Sequence, residues 1–164
     1  MINYSKHPDE YLKRLMDGDK CLKRTLDLLR EESRWIQGVE ARDGEGNSCD
    51  PLSSEAECFC LSGAVYRASA GYGTLWFTMD LLDEEVASEY EDEVENFESD
   101  DEHDYYCTAT FNDAGHRNHQ EVVRVLKGAI ARTEDAIAGH LNNIHDLGTS
   151  MDESDLNELR EEYL

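Results

Sequence analysis

With 164 residues the chain is the size of one domain, and 38 Asp and Glu against 15 Lys and Arg leave a formal charge of −23, far beyond the roughly 2–8 units that keep a small domain soluble. Such a charge repels DNA, RNA and anionic membranes, so nucleic-acid and membrane partners are disfavoured and a partner with a basic surface is favoured. No run of about 20 apolar residues is present to span a membrane, and MINYSKHPDEYLKRLMDGDK lacks an apolar segment of signal-peptide type, so a cytoplasmic location is expected.

Residues 8–34 read as a helix, with a candidate break at Gly18 and Pro8 suited to the first turn. Leu12, Leu15, Leu22, Leu26 and Leu29 recur at steps that place them on one face, Trp35 and Ile36 extend it, and Gly38 is the stop. Residues 41–51, ARDGEGNSCDP, carry turn chemistry, with Asp43-Gly44 as a hairpin signal. The alternation of Asp43, Glu45 and Asn47 imitates a calcium loop, but Ser48 and Ser54 occupy the places of its Gly and its bidentate Glu.

Ser54 and Glu57 form a capping box that predicts a short, nearly uncharged helix over CFCLSGAVYRASA. Small residues Ser62, Gly63, Ala64 and Ala68 would let another element approach it closely. Gly71-Tyr72-Gly73 reads as a break. Beyond it, residues 83–104 hold thirteen acidic residues and no Lys or Arg. Leu82, Val86, Tyr90, Val94 and Phe97 step by three or four, predicting an amphipathic helix with an anionic outer face.

YYCTATF (105–111) is β-prone and reads as an edge strand or buried linker. Asn118 and Glu121 make a second capping box, opening the longest helix, to about His145, with Val122, Leu126, Ala129, Ile130, Ile137, Leu141 and Ile144 as its apolar stripe. A third box, Ser150 to Glu153, starts a final acidic helix. The fold expected is mainly α: a single compact helical domain with one short β segment and an acidic helical insertion.

WIQG (35–38), ARDGEGNSCDP (41–51), FCLSGA (59–64) and FNDAGHRNHQEVVRVLKGAI (111–130) follow one another in that order. Together they resemble a family of small phage and actinobacterial proteins of unknown function, whose pattern is Trp-x-Gln-Gly, Ala-x-Asp-x-x-Gly, Cys-Leu-x-Gly-Ala and Trp-Asn-Asp. Here Phe111 stands for the last Trp. The resemblance implies a phage or bacterial source and no particular activity. It covers about residues 22–131 minus an insertion and implies that the acidic block at about 75–104 and the C-terminal helix at 150–164 are additions to a common core, which the domain reading places at about residues 8–70 and 105–147.

Three functional readings follow. The leading one is an acidic, phage-type inhibitor that mimics nucleic acid on the basic surface of a host defence or nucleic-acid-processing protein. Carboxylates three or four residues apart on a helix lie about 5–6 Å from one another and can imitate a phosphate row. Its partner-binding residues are Glu84, Glu85, Glu89, Glu91, Asp92, Glu95 and Glu98, with Asp100, Asp101 and Glu102 beside them.

The second is a small enzyme centred on Cys60, His116 and His119 with Asp113, in which a helix start lowers the thiol pKa and a His–Asp pair activates it. Opposing it, free cysteines flanked by apolar residues pack as small hydrophobes. Cys58, Cys107 and His116 are a candidate metal set, opposed by the one-residue gap between Cys58 and Cys60. The third is a self-associating structural module. No cofactor is implied, the five cysteines read as free thiols, Asn112-Asp113 reads as an Asx turn, and Trp35 and Gln37 as packing and capping residues.

Overall fold

A computed structural model describes residues 8–91, 106–147, 149 and 151–164. Within them the chain forms helix α1 (Pro8–Leu28), strands β1 (Ala41–Asp43) and β2 (Ala56–Phe59), and helices α2 (Leu61–Ala68), α3 (Tyr72–Glu89), α4 (Tyr106–Asp113), α5 (His119–Leu147) and α6 (Glu153–Tyr163). The mainly α expectation holds, with the β content confined to one antiparallel pair.

α1 forms where the leucine periodicity places it, and Leu12, Leu15, Leu22 and Leu29 are all buried. Gly18 does not interrupt it. Gly18 is instead where α3 presses in: a Cβ there would lie 3.0 Å from Leu81 Cδ1 and 3.3 Å from Phe77 Cδ1. The predicted helix over 8–34 stops earlier, at Leu28, and Glu32–Arg34 form a separate 3-10 turn. Trp35 and Ile36 then leave helical geometry, because the Ile36 amide donates to the Phe59 carbonyl at 3.1 Å.

The capping box at Ser54 and Glu57 does not open a helix. Residues 56–59 pair with β1, Ala41 opposite Phe59 and Arg42 opposite Cys58, and α2 starts only after Cys60. Local capping chemistry loses here to tertiary pairing, because Ala41, Ala56 and Phe59 bury against the core in that register. The turn itself is set by Asp43, whose carboxylate accepts from the Asn47 amide at 2.8 Å and, more weakly, from the Glu45 amide at 3.0 Å, and so stays below the usual carboxylate range.

Two further corrections concern the middle of the chain. The Gly71-Tyr72-Gly73 break is the start of α3, which carries Leu75, Thr78, Met79, Leu82 and Val86 into the core. Residues 106–113 are helix and not strand; Thr108, Phe111 and Asn112, all buried, have the three- and four-residue spacing of one helical face. The Asn118–Glu121 box is formed as predicted: the Asn118 amide donates to Glu121 Oε2 at 3.0 Å and the Glu121 amide to Asn118 Oδ1 at 3.1 Å. At α6 the cap is Asp152, which accepts from the Ser154 and Asp155 amides.

The interior has two parts. The larger cluster joins the C-terminal half of α1 to α2, α3, the β pair, Phe111 and the first turns of α5. The smaller consists of Leu12, Leu15, Ile137, Leu141, Ile144 and Leu156, with Phe77 touching both.

α6 is fastened to α1 by the Tyr163 hydroxyl, which donates to the Asp19 carboxylate at 3.1 Å. Asp19 is buried and also takes a 2.8 Å ion pair from Lys23. Burial, then the neighbouring Asp19 charge, hold the Tyr163 phenol above its usual range. A pKa raised in the folded state contributes stability that is complete below the unfolded value, about 10 for tyrosine, and is lost as pH climbs past it. Alkaline titration followed by circular dichroism should therefore show helix lost above about pH 10, with Tyr163→Phe flattening that part of the curve. An identical titration of the two proteins would show that Tyr163 does not fasten α6.

Candidate functional site

The four short motifs meet around one side chain. Asn112, near the end of α4 and buried, accepts through Oδ1 from the Trp35 indole at 2.7 Å and from the Leu61 backbone amide at 3.1 Å. Its Nδ2 donates to the Ile36 carbonyl at 3.2 Å and to Asp113 Oδ1 at 2.7 Å. Gln37 Nε2 donates to the carbonyls of Asn112 and Ala114 at 2.6 and 3.0 Å, and the Gly38 amide to Asp113 Oδ1 at 3.0 Å. Trp35 packs against the larger cluster and closes the 3-10 turn, its amide donating to the Glu32 carbonyl, and in place of an Asx turn Asn112 and Asp113 join Trp35 and Gln37 in a clasp. The segment 35–38, the first residue of α2 and the end of α4 share one hydrogen-bond network.

The candidate catalytic residues are held in the same region, each already engaged. Cys60 is the N-cap of α2, its Sγ accepting from the Gly63 amide at 3.3 Å. Burial is the largest influence on that thiol and raises its pKa, with Asp113 and Glu40 acting in the same direction. That is the reverse of what a thiolate nucleophile requires. His119 Nε2 lies 2.7 Å from the Leu29 carbonyl; a carbonyl only accepts, so Nε2 carries the proton. Asp113 spends Oδ1 on Gly38 and Asn112. His116 is exposed in the turn between α4 and α5. Cys58 donates to the Ser33 carbonyl at 3.4 Å, and the Cys107 side chain lies outside the described residues. The geometry makes this cluster a structural joint.

Arg117 completes it. It is buried, its Nε donates to the Phe111 carbonyl at 3.0 Å, and its guanidinium lies 3.8 Å from the Phe111 ring centroid and 4.6 Å from that of Tyr90. A planar cation stacked on an aromatic face is worth up to about 2 kcal/mol when desolvated. The ring at position 111 therefore acts as a platform for Arg117.

The acidic face is only partly as the periodicity predicts. Glu84, Glu89 and Glu91 are exposed. Glu85 is not on that face: it is 5% exposed, its Oε2 receives Arg132 at 2.9 Å, and Gly128 leaves room for it, since a Cβ there would fall 1.8 Å from Glu85 Oε1. Asp83 likewise turns inward, accepting from the Thr108 amide at 2.8 Å. The predicted continuous helix through Phe97 also breaks, because Tyr90 closes α3 at φ −129°, ψ 37°. Asp92, Glu95, Glu98, Asp100, Asp101 and Glu102 lie outside the described residues.

Basic side chains are largely consumed internally. Lys23 bridges Asp19 and Glu134, Arg124 meets Glu89 at 3.6 Å, Arg132 holds Glu85 and Arg160 holds Glu153. With 15 cations for 38 acids, one-to-one pairing leaves an excess of 23 negative charges.

Residues 17–132 match a family described as a family of unknown function (DUF6197). No curated protein and no solved structure matches the chain.

Proposed function

The chain belongs to that family, and on this premise we propose that it is an acidic interaction protein, of phage or bacterial origin, that occupies the basic nucleic-acid-binding surface of a defence or nucleic-acid-processing protein of the host. One observation carries the reading. Cys60, buried with its thiol pKa raised, bonds the Gly63 amide, His119 bonds the Leu29 carbonyl and Asp113 bonds Asn112, whereas Glu84 and Glu91 stand exposed at one end of a segment that continues, in sequence, into the densest run of acids in the chain.

Recognition would work by electrostatic steering and by release of counterions from the basic partner, so it weakens as salt rises. Glu89 is already partnered by Arg124 and contributes less, and Glu85 belongs to the fold. Asp92, Glu95, Glu98, Asp100, Asp101 and Glu102 extend the anionic series.

The test compares the native protein with Glu84→Lys/Glu91→Lys/Glu95→Lys on host lysate at low salt, eluting by a salt gradient and by added DNA. The native protein should retain nucleic-acid-binding proteins that DNA competes away; the reversed protein, shown folded by circular dichroism, should lose them. Equal retention by both proteins would refute the reading.

A further inference from the structure

In a chain this acidic, three arginines from three separate stretches share one opening. Arg24 on α1, Arg34 in the 3-10 turn and Arg67 in the last turn of α2 line a cleft of about 530 Å³, with Leu28 among its apolar walls and Asp27 on its lining. Most other arginines in the described residues have a carboxylate partner, but these three form no ion pair among the described residues. The one acid in the cleft, Asp27, is already paired with Arg30.

Two of the guanidiniums are held in place by backbone. Arg67 Nη1 donates to the Pro51 and Ser53 carbonyls at 3.2 and 3.1 Å. Arg34 Nε donates to the Glu57 carbonyl at 3.1 Å, with its guanidinium 6.0 Å from the Phe59 ring centroid. Each is thereby anchored along one edge and keeps further N–H groups for something else. Planar forks fixed in this way suit the oxygens of phosphate, bidentately.

Three like charges around one opening repel each other, and a bound anion would relieve that repulsion. A single phosphate monoester carries about −1.5 to −2 at neutral pH, short of three guanidiniums. Two linked phosphates come closer to balance, and the volume exceeds what one phosphate fills. Leu28 and Ala68 offer apolar surface to an organic group beyond the phosphates.

We propose that the cleft formed by Arg24, Arg34 and Arg67 is a binding site for a small diphosphate-bearing molecule. The site is independent of the acidic surface discussed above, and the two can fail separately.

The probes are inorganic pyrophosphate, a nucleoside diphosphate and orthophosphate, titrated calorimetrically into the full chain. Pyrophosphate or the nucleoside diphosphate should saturate one site, with orthophosphate weaker. A tighter nucleoside diphosphate identifies an organic ligand; equal affinities identify the diphosphate alone as the recognised group. Arg24 makes no hydrogen bond in the fold among the described residues, so Arg24→Gln should fold normally and weaken binding about tenfold, the loss of one charge-assisted contact. Arg34→Gln is the second variant. Absence of saturable binding by both diphosphates at millimolar concentration, or affinity unchanged in both variants, would overturn the proposal.

Discussion

Gly63→Ala should destabilise the protein by about 3 kcal/mol, at the upper end of what overpacking costs. An ideal Cβ on Gly63 would lie 2.0 Å from the Glu40 carbonyl oxygen and 2.7 Å from its carbon. Those are backbone atoms beside β1, so no side chain can rotate away. Relief requires α2 to withdraw from the strand, which would also disturb the Cys60 amide, bonded to the same Glu40 carbonyl at 3.1 Å. Thermal unfolding should show a melting point lower by about 6–12 °C. Gly139→Ala is the contrast: nothing lies within 4 Å of a Cβ there, and alanine in a helix interior should raise stability by about 0.5–1 kcal/mol. Equal melting points for Gly63→Ala and the native protein would mean that α2 does not lie against Glu40.

Asn112→Ala is expected to cost about 3–4 kcal/mol in denaturant unfolding, through buried groups stranded at about 1–3 kcal/mol each. The Trp35 indole and the Leu61 amide would both lose their acceptor, and the Ile36 carbonyl its donor. Trp35 fluorescence should shift to the red as the 35–38 segment loosens. Asn112→Asp keeps the acceptor for Trp35 and Leu61 but loses the donor and sets a second charge beside Asp113, so its loss should be intermediate. A cost below about 1 kcal/mol for alanine, the worth of one ordinary hydrogen bond, would show that the network does not hold these segments together.

Long elements were legible because one face of each carries the pattern. The leucines of α1 and the aliphatic stripe of α5 follow helical periodicity, and the Asn118–Glu121 cap is a purely local device. What escaped depends on residues far apart in the chain. Ser54 and Glu57 have the capping signature, yet Ala41 pairs the segment into a strand. Glu85 looks like any exposed acid on the helix; its burial depends on Arg132 and on the missing side chain at Gly128, neither of which is near it in sequence. The start of α3 was hidden because Gly71 and Gly73 flank Tyr72 and signal a turn. Asn112 could have been suspected as a hub, since a turn-forming pair recurs 75 residues after Gln37 in a motif of the same series. The arginine cleft has no sequence signal at all, because its three members are scattered among acids.

The division of the interior into two clusters coincides with the family boundary. Every member of the larger cluster falls within residues 17–132, and every buried member of the smaller one falls outside. α5 runs through both as a common spine. Cooperative units of this kind open at different free energies, and among the described residues the smaller has six buried side chains to resist opening. The contacts of the first turns of α1 and of α6 with the end of α5 should therefore open at lower free energy than the clasp around Asn112. Strain reaching that end of α5 would be absorbed there first, as by a sacrificial collar.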